Sequence, residues 1–319
     1  MVYDFKGFRV LVLGGAGFIG RSLCQLLLDN GAAVRCLDRG KPQGDQYLED
    51  LKNEMEWVSA DFSDEQKIRE AVEGMDYIFH LISTTIPASS NQDLLFDLTS
   101  NVVPTLKLLD IAKDAKIKKL IFISSGGTIY GIPHSVPIPE NHQTNPLCGY
   151  GIHKLAIEKY LSLYYYNFNL NYSILRLSNP YGYAQISDRP QGVIGKFIYQ
   201  ALRNKPLEIW GDGSVVRDYI YIDDILDAFL RAMLYEGKEK VFNVASGIGH
   251  SLTDIISYIE GAAGYPLNVS FSSSRHVDVP LNVLDISRIK TELGWCPETD
   301  MATGIGKLFE YSRQLKNLK

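Results

Sequence analysis

Residues 9–20 read RVLVLGGAGFIG, and the order of their parts decides the fold. The apolar run at 9–13, followed at once by glycines, reads as a buried strand. From Phe18 to Asn30 the apolar residues Ile19, Leu23, Leu26 and Leu27 recur at helical spacing, and the pattern stops before Gly31. Between strand and helix stand Gly14, Gly17 and Gly20. Glycines there permit a tight turn and close backbone approach to a pyrophosphate, which the helix N-terminus attracts. A glycine pattern alone is weak evidence; its place between a strand and a helix makes dinucleotide binding the stronger reading over a merely structural turn.

Further runs at 33–37, 57–60, 77–81, 119–124 and 172–177 read as strands, with helical patterns at 63–72, 94–115 and 150–166 between them. This alternation predicts an α/β protein with a Rossmann-type doubly wound parallel sheet. Beyond Asn179, proline, glycine and polar residues become frequent and the elements shorten. Residues 219–235 still read as strand then helix, and 240–244 as strand. The expected organisation is a dinucleotide-binding domain over 1–178, which 219–247 rejoins, and a smaller, interleaved C-terminal α/β substrate domain over 179–319.

The composition, 45% hydrophobic and 22% charged over 319 residues, is that of a soluble globular chain with ample core. A net charge of −5 gives no sign of a nucleic-acid or membrane-surface partner. No apolar run approaches a membrane span, and MVYDFKGFRV lacks the form of a signal peptide. Cys24, Cys36, Cys148 and Cys296 form no metal spacing and read as free thiols of a reducing cytoplasm. The histidines show no HxxH or HxH spacing, so no metal is expected. The tyrosine cluster at 164–166 reads as packing and an interface rather than as a stacking surface.

Asp38 ends the second strand, 18 residues after Gly20. An acid there accepts hydrogen bonds from the adenosine ribose and repels a 2′-phosphate, which favours NAD over NADP; Arg39 argues the other way. Asp61 either meets the adenine or caps a helix at Ser63. SSGGTIYG at 124–131 closes another strand on the side where such sheets bind ligands. In Tyr150-Gly-Ile-His-Lys154 the tyrosine and lysine lie one turn apart on one helix face. An ammonium beside a phenol favours the phenolate, so such a tyrosine can move protons near neutral pH. Farther on, Arg217 and Arg275 either clamp a diphosphate or form surface ion pairs with Asp218 and Asp278.

Together GGAGFIG at 14–20, LDRG at 37–40, SSGGTIYG at 124–131, YGIHK at 150–154, LRLSNPYG at 175–182 and RDYIYIDD at 217–224 resemble the extended short-chain dehydrogenase/reductases, above all the UDP-glucose 4-epimerases and related nucleotide-sugar epimerases and dehydratases. The resemblance covers essentially the whole chain. It implies that Tyr150 and Lys154 are the catalytic pair. It places Gly14, Gly17, Phe18, Ile19, Gly20, Asp38, Asp61, Phe62, Leu81 and Asn101 around NAD. Asn179, Arg217, Arg275 and Asp278 would contact or flank the UDP moiety. It also implies a homodimer through a four-helix bundle built from helices near 101–115 and 150–168.

Two positions depart from the family. The usual catalytic serine or threonine is Gly126 here; Ser125 is expected to take its place, with Thr128 as the alternative. The gate position on the sugar side is Asn282, a small residue that does not rule out N-acetylhexosamines. The activity implied is interconversion of UDP-glucose and UDP-galactose through a 4-keto sugar, with UDP-N-acetylglucosamine and UDP-glucuronate 4-epimerases as alternatives. A dehydratase is disfavoured because Gly127 and Thr128 stand where an Asp-Glu pair is expected. A non-catalytic NAD-sensing protein is disfavoured because the Tyr/Lys pair is present.

Overall fold

The computed structural model describes residues 3–40, 51, 53–183, 192–272 and 279–317. Its strands, in chain order, are β1 Arg9–Leu13, β2 Ala33–Asp38, β3 Glu56–Ser59, β4 Tyr77–His80, β5 Lys119–Ser125, β6 Tyr172–Leu177, β7 Asn179–Tyr181, β8 Leu207–Trp210, β9 Val216–Tyr221, β10 Val241–Val244, β11 Gly249–Ser251, β12 Val269–Ser272 and β13 Leu281–Asn282.

The expected doubly wound sheet is present: seven strands in the order β10-β6-β5-β4-β1-β2-β3, with parallel pairing from β3 through β5. The strands are apolar on both faces because both faces are covered; β5 buries every residue but its last. The chain moves from β1 outward to β2 and β3, then returns to β4 on the other side of β1. This reversal opens a crevice beyond the carboxyl ends of β1 and β4, where ligands of such sheets bind. Leu81 leaves β4 there, its N–H 3.0 Å from the Leu13 carbonyl. Beneath the crevice, Leu11, Leu13, Ile78, Leu120 and Phe122 pack against Leu108, Leu109, Ile157 and Leu161 of the covering helices. Each such side chain contributes roughly 1.5–3 kcal/mol on burial.

The chain forms two compact units. One comprises Met1–Tyr130, Thr144–Arg176 and Phe229–Phe242; the other comprises Gly131–Gln143, Leu177–Ala228 and Asn243–Lys319. In the second, β9 pairs with β11 in antiparallel and with β13 and β7 in parallel fashion, and β8 pairs with β12. Its helix Leu252–Ala263 opens on a reciprocal Ser251–Asp254 capping box. The buried Trp295 donates to the Asp224 carbonyl and anchors the segment before the helix Met301–Asn317.

Two helices differ from expectation. The segment 94–115 is not one helix: Leu94–Asp97 and Val103–Asp114 are joined by a wide π turn at Leu98–Val102. Pro104 has no N–H to offer the Ser100 carbonyl, the Val103 N–H reaches back to the Leu98 carbonyl, and the Asn101 side chain donates to the Asp97 carbonyl. The next difference lies upstream, where the helix begins at Glu65 with Asp64 as its cap, not at Ser63 with Asp61. No helix among the described residues is long and apolar enough to cross a membrane.

Candidate active site

The glycine turn forms a cradle that only glycine allows. Gly14 sits at φ +92°, and a Cβ on Gly20 would lie 2.1 Å from the Gly14 carbonyl oxygen. The helix Phe18–Asp29 has no side-chain cap and no acid in its first turn, so the N-terminal N–H groups of Phe18, Ile19 and Gly20 present a positive end. Asp38 closes the side of the turn, accepting from the Ala16 N–H at 3.0 Å and the Arg39 N–H at 2.8 Å. Burial nonetheless holds its carboxyl above the usual range. A backbone-lined cradle with an acid at its rim suits the pyrophosphate and ribose of a dinucleotide, so these residues fit NAD. Arg39, the counter-argument to NAD, points its guanidinium at Asp61 at 3.3 Å. Asp61 also accepts from the Ser63 N–H and hydroxyl, and these bonds hold it below the usual carboxylate range. Phe62 is a core residue, its ring 5.0 Å from that of His80. Asn101 is buried and already engaged: it donates to Thr84 Oγ1 and the Asp97 carbonyl and accepts from the Thr84 N–H.

Tyr150 and Lys154 lie in the first turns of the helix Gly149–Phe168. Gly151 lets this end of the helix rest on the 124–131 loop, since a Cβ there would fall 2.9 Å from the Thr128 carbonyl oxygen. Lys154 is 2% exposed. Its Nζ donates to the Ile123 carbonyl at 2.9 Å and lies 5.6 Å from the centre of the Tyr150 ring. Burial lowers the lysine to about 7, against the opposing pull of the Glu158 and Asp97 carboxylates. Part of Tyr150 reaches solvent, yet burial, with Cys148 and Asp97 acting the same way, pushes its phenol up to about 12. Burial thus moves the phenol in the direction opposite to the one a neighbouring ammonium favours. Of the two candidate hydroxyls, Ser125 is half-buried at the end of β5, while Thr128 Oγ1 is buried without a hydrogen-bond partner.

Sequence reasoning missed the buried polar groups around this pair. Glu158, one turn beyond Lys154, receives Arg176 Nη2 at 2.6 Å, Arg176 Nε at 3.1 Å and the Ser124 hydroxyl at 2.6 Å. Arg176 Nη1 donates to the Tyr130 hydroxyl at 3.0 Å. His153 Nδ1 lies 2.8 Å from Asp97 Oδ2. The available signals were Glu158 four residues after Lys154 and a histidine within the quoted motif.

In the second unit, Arg217 and Asn282 are register neighbours on β9 and β13, and Asn179 Nδ2 donates to the Asp218 carbonyl at 3.0 Å. Arg217 Nη1 donates to the carbonyls of Val216 and Val279. The Asp218 carboxylate is buried and accepts from the Ser246 N–H and hydroxyl and the Gly247 N–H. That inward turn removes it from a surface ion pair with Arg217. Arg275 and Asp278 lie outside the described residues.

The chain is 36% identical to UDP-glucose 4-epimerase of Mycolicibacterium smegmatis over 96% of its own length and 98% of that protein's. It is 33% identical to dTDP-4-dehydro-6-deoxyglucose reductase of Escherichia coli over 97% and 99%. The crystal structure of UDP-glucose 4-epimerase from Thermotoga maritima with UDP-glucose superposes with a TM-score of 0.91 at 32% identity, covering 98% of this chain and 100% of that one. The profile of the NAD dependent epimerase/dehydratase family matches residues 10–245. With the glycine cradle, Asp38 and the Tyr150–Lys154 pair in the places described, the chain belongs to the NAD-dependent epimerase/dehydratase family.

Proposed function

We propose that this chain is an NAD-dependent nucleotide-sugar 4-epimerase that interconverts UDP-glucose and UDP-galactose. The observation that carries the reading is the tyrosine–lysine pair one turn apart at the end of β5, with the lysine anchored on the Ile123 carbonyl. Bound NAD supplies the hydride acceptor and donor for C4 of the sugar. Tyr150 takes the proton from O4 and returns it to that oxygen once the 4-keto sugar has turned about its link to the diphosphate and presents the opposite face of C4. A phenol resting at about 12 is a reluctant base, so the Lys154 ammonium assists by favouring the phenolate. Lys154 also holds the nicotinamide ribose. Ser125 shares the O4 proton in place of the hydroxyl missing at Gly126. Asn179 and Arg217, with Arg275 and Asp278, hold the UDP moiety, and the small Asn282 leaves room for an N-acetyl group.

The helices Val103–Asp114 and Gly149–Phe168 expose Val103 at 41%, Ile152 at 56% and Tyr166 at 87%. Apolar exposure of this kind supports a homodimer through a four-helix bundle. Four free cysteines support a cytoplasmic location.

The test is to incubate purified protein with UDP-glucose, UDP-galactose, UDP-N-acetylglucosamine and UDP-glucuronate and to read C4 configuration by NMR. Inversion of UDP-glucose is expected. No inversion in any arm sinks the reading. Consumption of NADH with a 4-keto sugar nucleotide, without inversion, moves the chain to the reductase side of its family.

A further inference from the structure

We propose that Asp97 and His153 form a positioning pair for the Tyr150–Lys154 couple, in which Asp97 anchors the imidazole, the imidazole holds the tyrosine ring edge-on, and the Asp97 charge acts on both members. The proposal rests on the 4-epimerase reading and adds two residues to its machinery.

His153 follows Tyr150 by three residues and precedes Lys154 by one, on the same helix, and is 2% exposed. Its ring meets that of Tyr150 nearly at right angles, 72° between planes, with centroids 5.1 Å apart. Asp97 is held in place from other sides: Thr85 Oγ1 donates to its Oδ1 and Asn101 Nδ2 to its carbonyl. A carboxylate oxygen 2.8 Å from Nδ1 requires the proton on that nitrogen, which assigns the tautomer. Nε2 is then a bare lone pair, and it is buried with no hydrogen-bond partner. A buried acceptor left unmatched costs stability, so packing alone does not account for a histidine here.

The titratable groups around the imidazole are Asp97 from the helix Leu94–Asp97, Tyr150 and Lys154 from its own helix, and His80 from β4. Burial and Lys154 lower His153 to about 4 in spite of Asp97. Burial, Lys154 and His153 together hold His80 well below the usual imidazole range. Both shifts favour the neutral imidazole. The Asp97 carboxylate therefore keeps its effect on the couple, raising the affinity for protons of both Tyr150 and Lys154.

The test reads Tyr150 ionisation as the difference in phenolate absorbance between a protein and the same protein carrying Tyr150→Phe. In Asp97→Asn this titration is expected to move to lower pH by about one unit, the scale of a neighbouring charge. The kcat–pH profile should move the same way while KM holds. His153→Asn keeps a donor for Asp97 but loses the ring, so kcat should fall at constant KM. A change in melting temperature with the Tyr150 titration unmoved in Asp97→Asn overturns the proposal. Should the variants fail to fold, histidine NMR on the native protein decides. A neutral, Nδ1-protonated His153 from pH 5 to 8 supports the pair; protonation near the ordinary histidine value of 6.5, or a proton on Nε2, overturns it. Both titrations are made without substrate, so their outcome is separate from whether the native protein inverts C4.

Discussion

Two buried acids act on Lys154, and the protein treats them differently. Glu158 is met by two Arg176 contacts and the Ser124 hydroxyl, and it still gives the larger of the two upward pulls on Lys154. Asp97 faces an imidazole that burial keeps neutral. The first acid ties β5, β6 and the helix Gly149–Phe168 together. The second acts on the lysine less than Glu158 does, but it also raises the tyrosine. A buried acid paired with a guanidinium ties elements together and still acts on its neighbours' ionisation; one that faces an imidazole acts on its neighbours with less of that tie.

The largest effect is expected at the residue on which the comparison turns. Tyr150→Phe should lower turnover by about 10²–10⁴-fold while NAD remains bound, measured by NMR turnover and by nucleotide released on denaturation. Unimpaired turnover removes both the base and the reason for tuning it. The comparison itself is broken or sharpened by urea unfolding of two variants. Glu158→Gln strands the buried Arg176 charge and should cost about 3–5 kcal/mol. Asp97→Asn disturbs the hydrogen bonds from Thr85 and His153 and should cost about 1–3 kcal/mol. Equal losses would mean that both acids tie their elements together equally.

A smaller effect concerns pH. Lys154 binds its proton less tightly folded than unfolded, so the unfolded chain carries more protons between about 7 and 10.5. Stability therefore rises with pH across that window. Lys154→Met should flatten the rise in melting temperature without abolishing it, because burial also lowers Lys119, to about 8. An unchanged slope would place the Lys154 ammonium in water and end the comparison. The smallest effect is at the exposed Arg39–Asp61 pair, where Arg39→Ala should change stability by less than about 1 kcal/mol in urea titration. A larger loss would show that burial is not what separates strong pairs from weak ones here.

Much of the fold was legible in the chain. The run from Arg9 to Gly20, the strand at Lys119–Ser125 and the helix bearing Tyr150 all appear where residue periodicity puts them. The wide turn at Leu98–Val102 was not legible, because the apolar spacing through it remains helical and the break depends on where the Asn101 side chain bonds. The cap at Asp64 was not singled out, and Asp61 was left open between the adenine and a cap, because two aspartates and a serine stand within four residues and each can cap. Within the site, the glycines and Asp38 were legible because each acts on its own backbone turn. Asp97 was not, since it lies 56 residues from His153 and has no motif around it.

By itself the sequence determined the sheet, the cradle at Gly14–Gly20 and the one-turn spacing of Tyr150 and Lys154, because these follow from backbone sterics and helical pitch over a few residues. Only the tertiary structure decided how that pair is charged. Desolvation and Coulomb interactions depend on distances in space, and those are set by the packing that buries the pair and by Asp97 arriving from another element of the first unit.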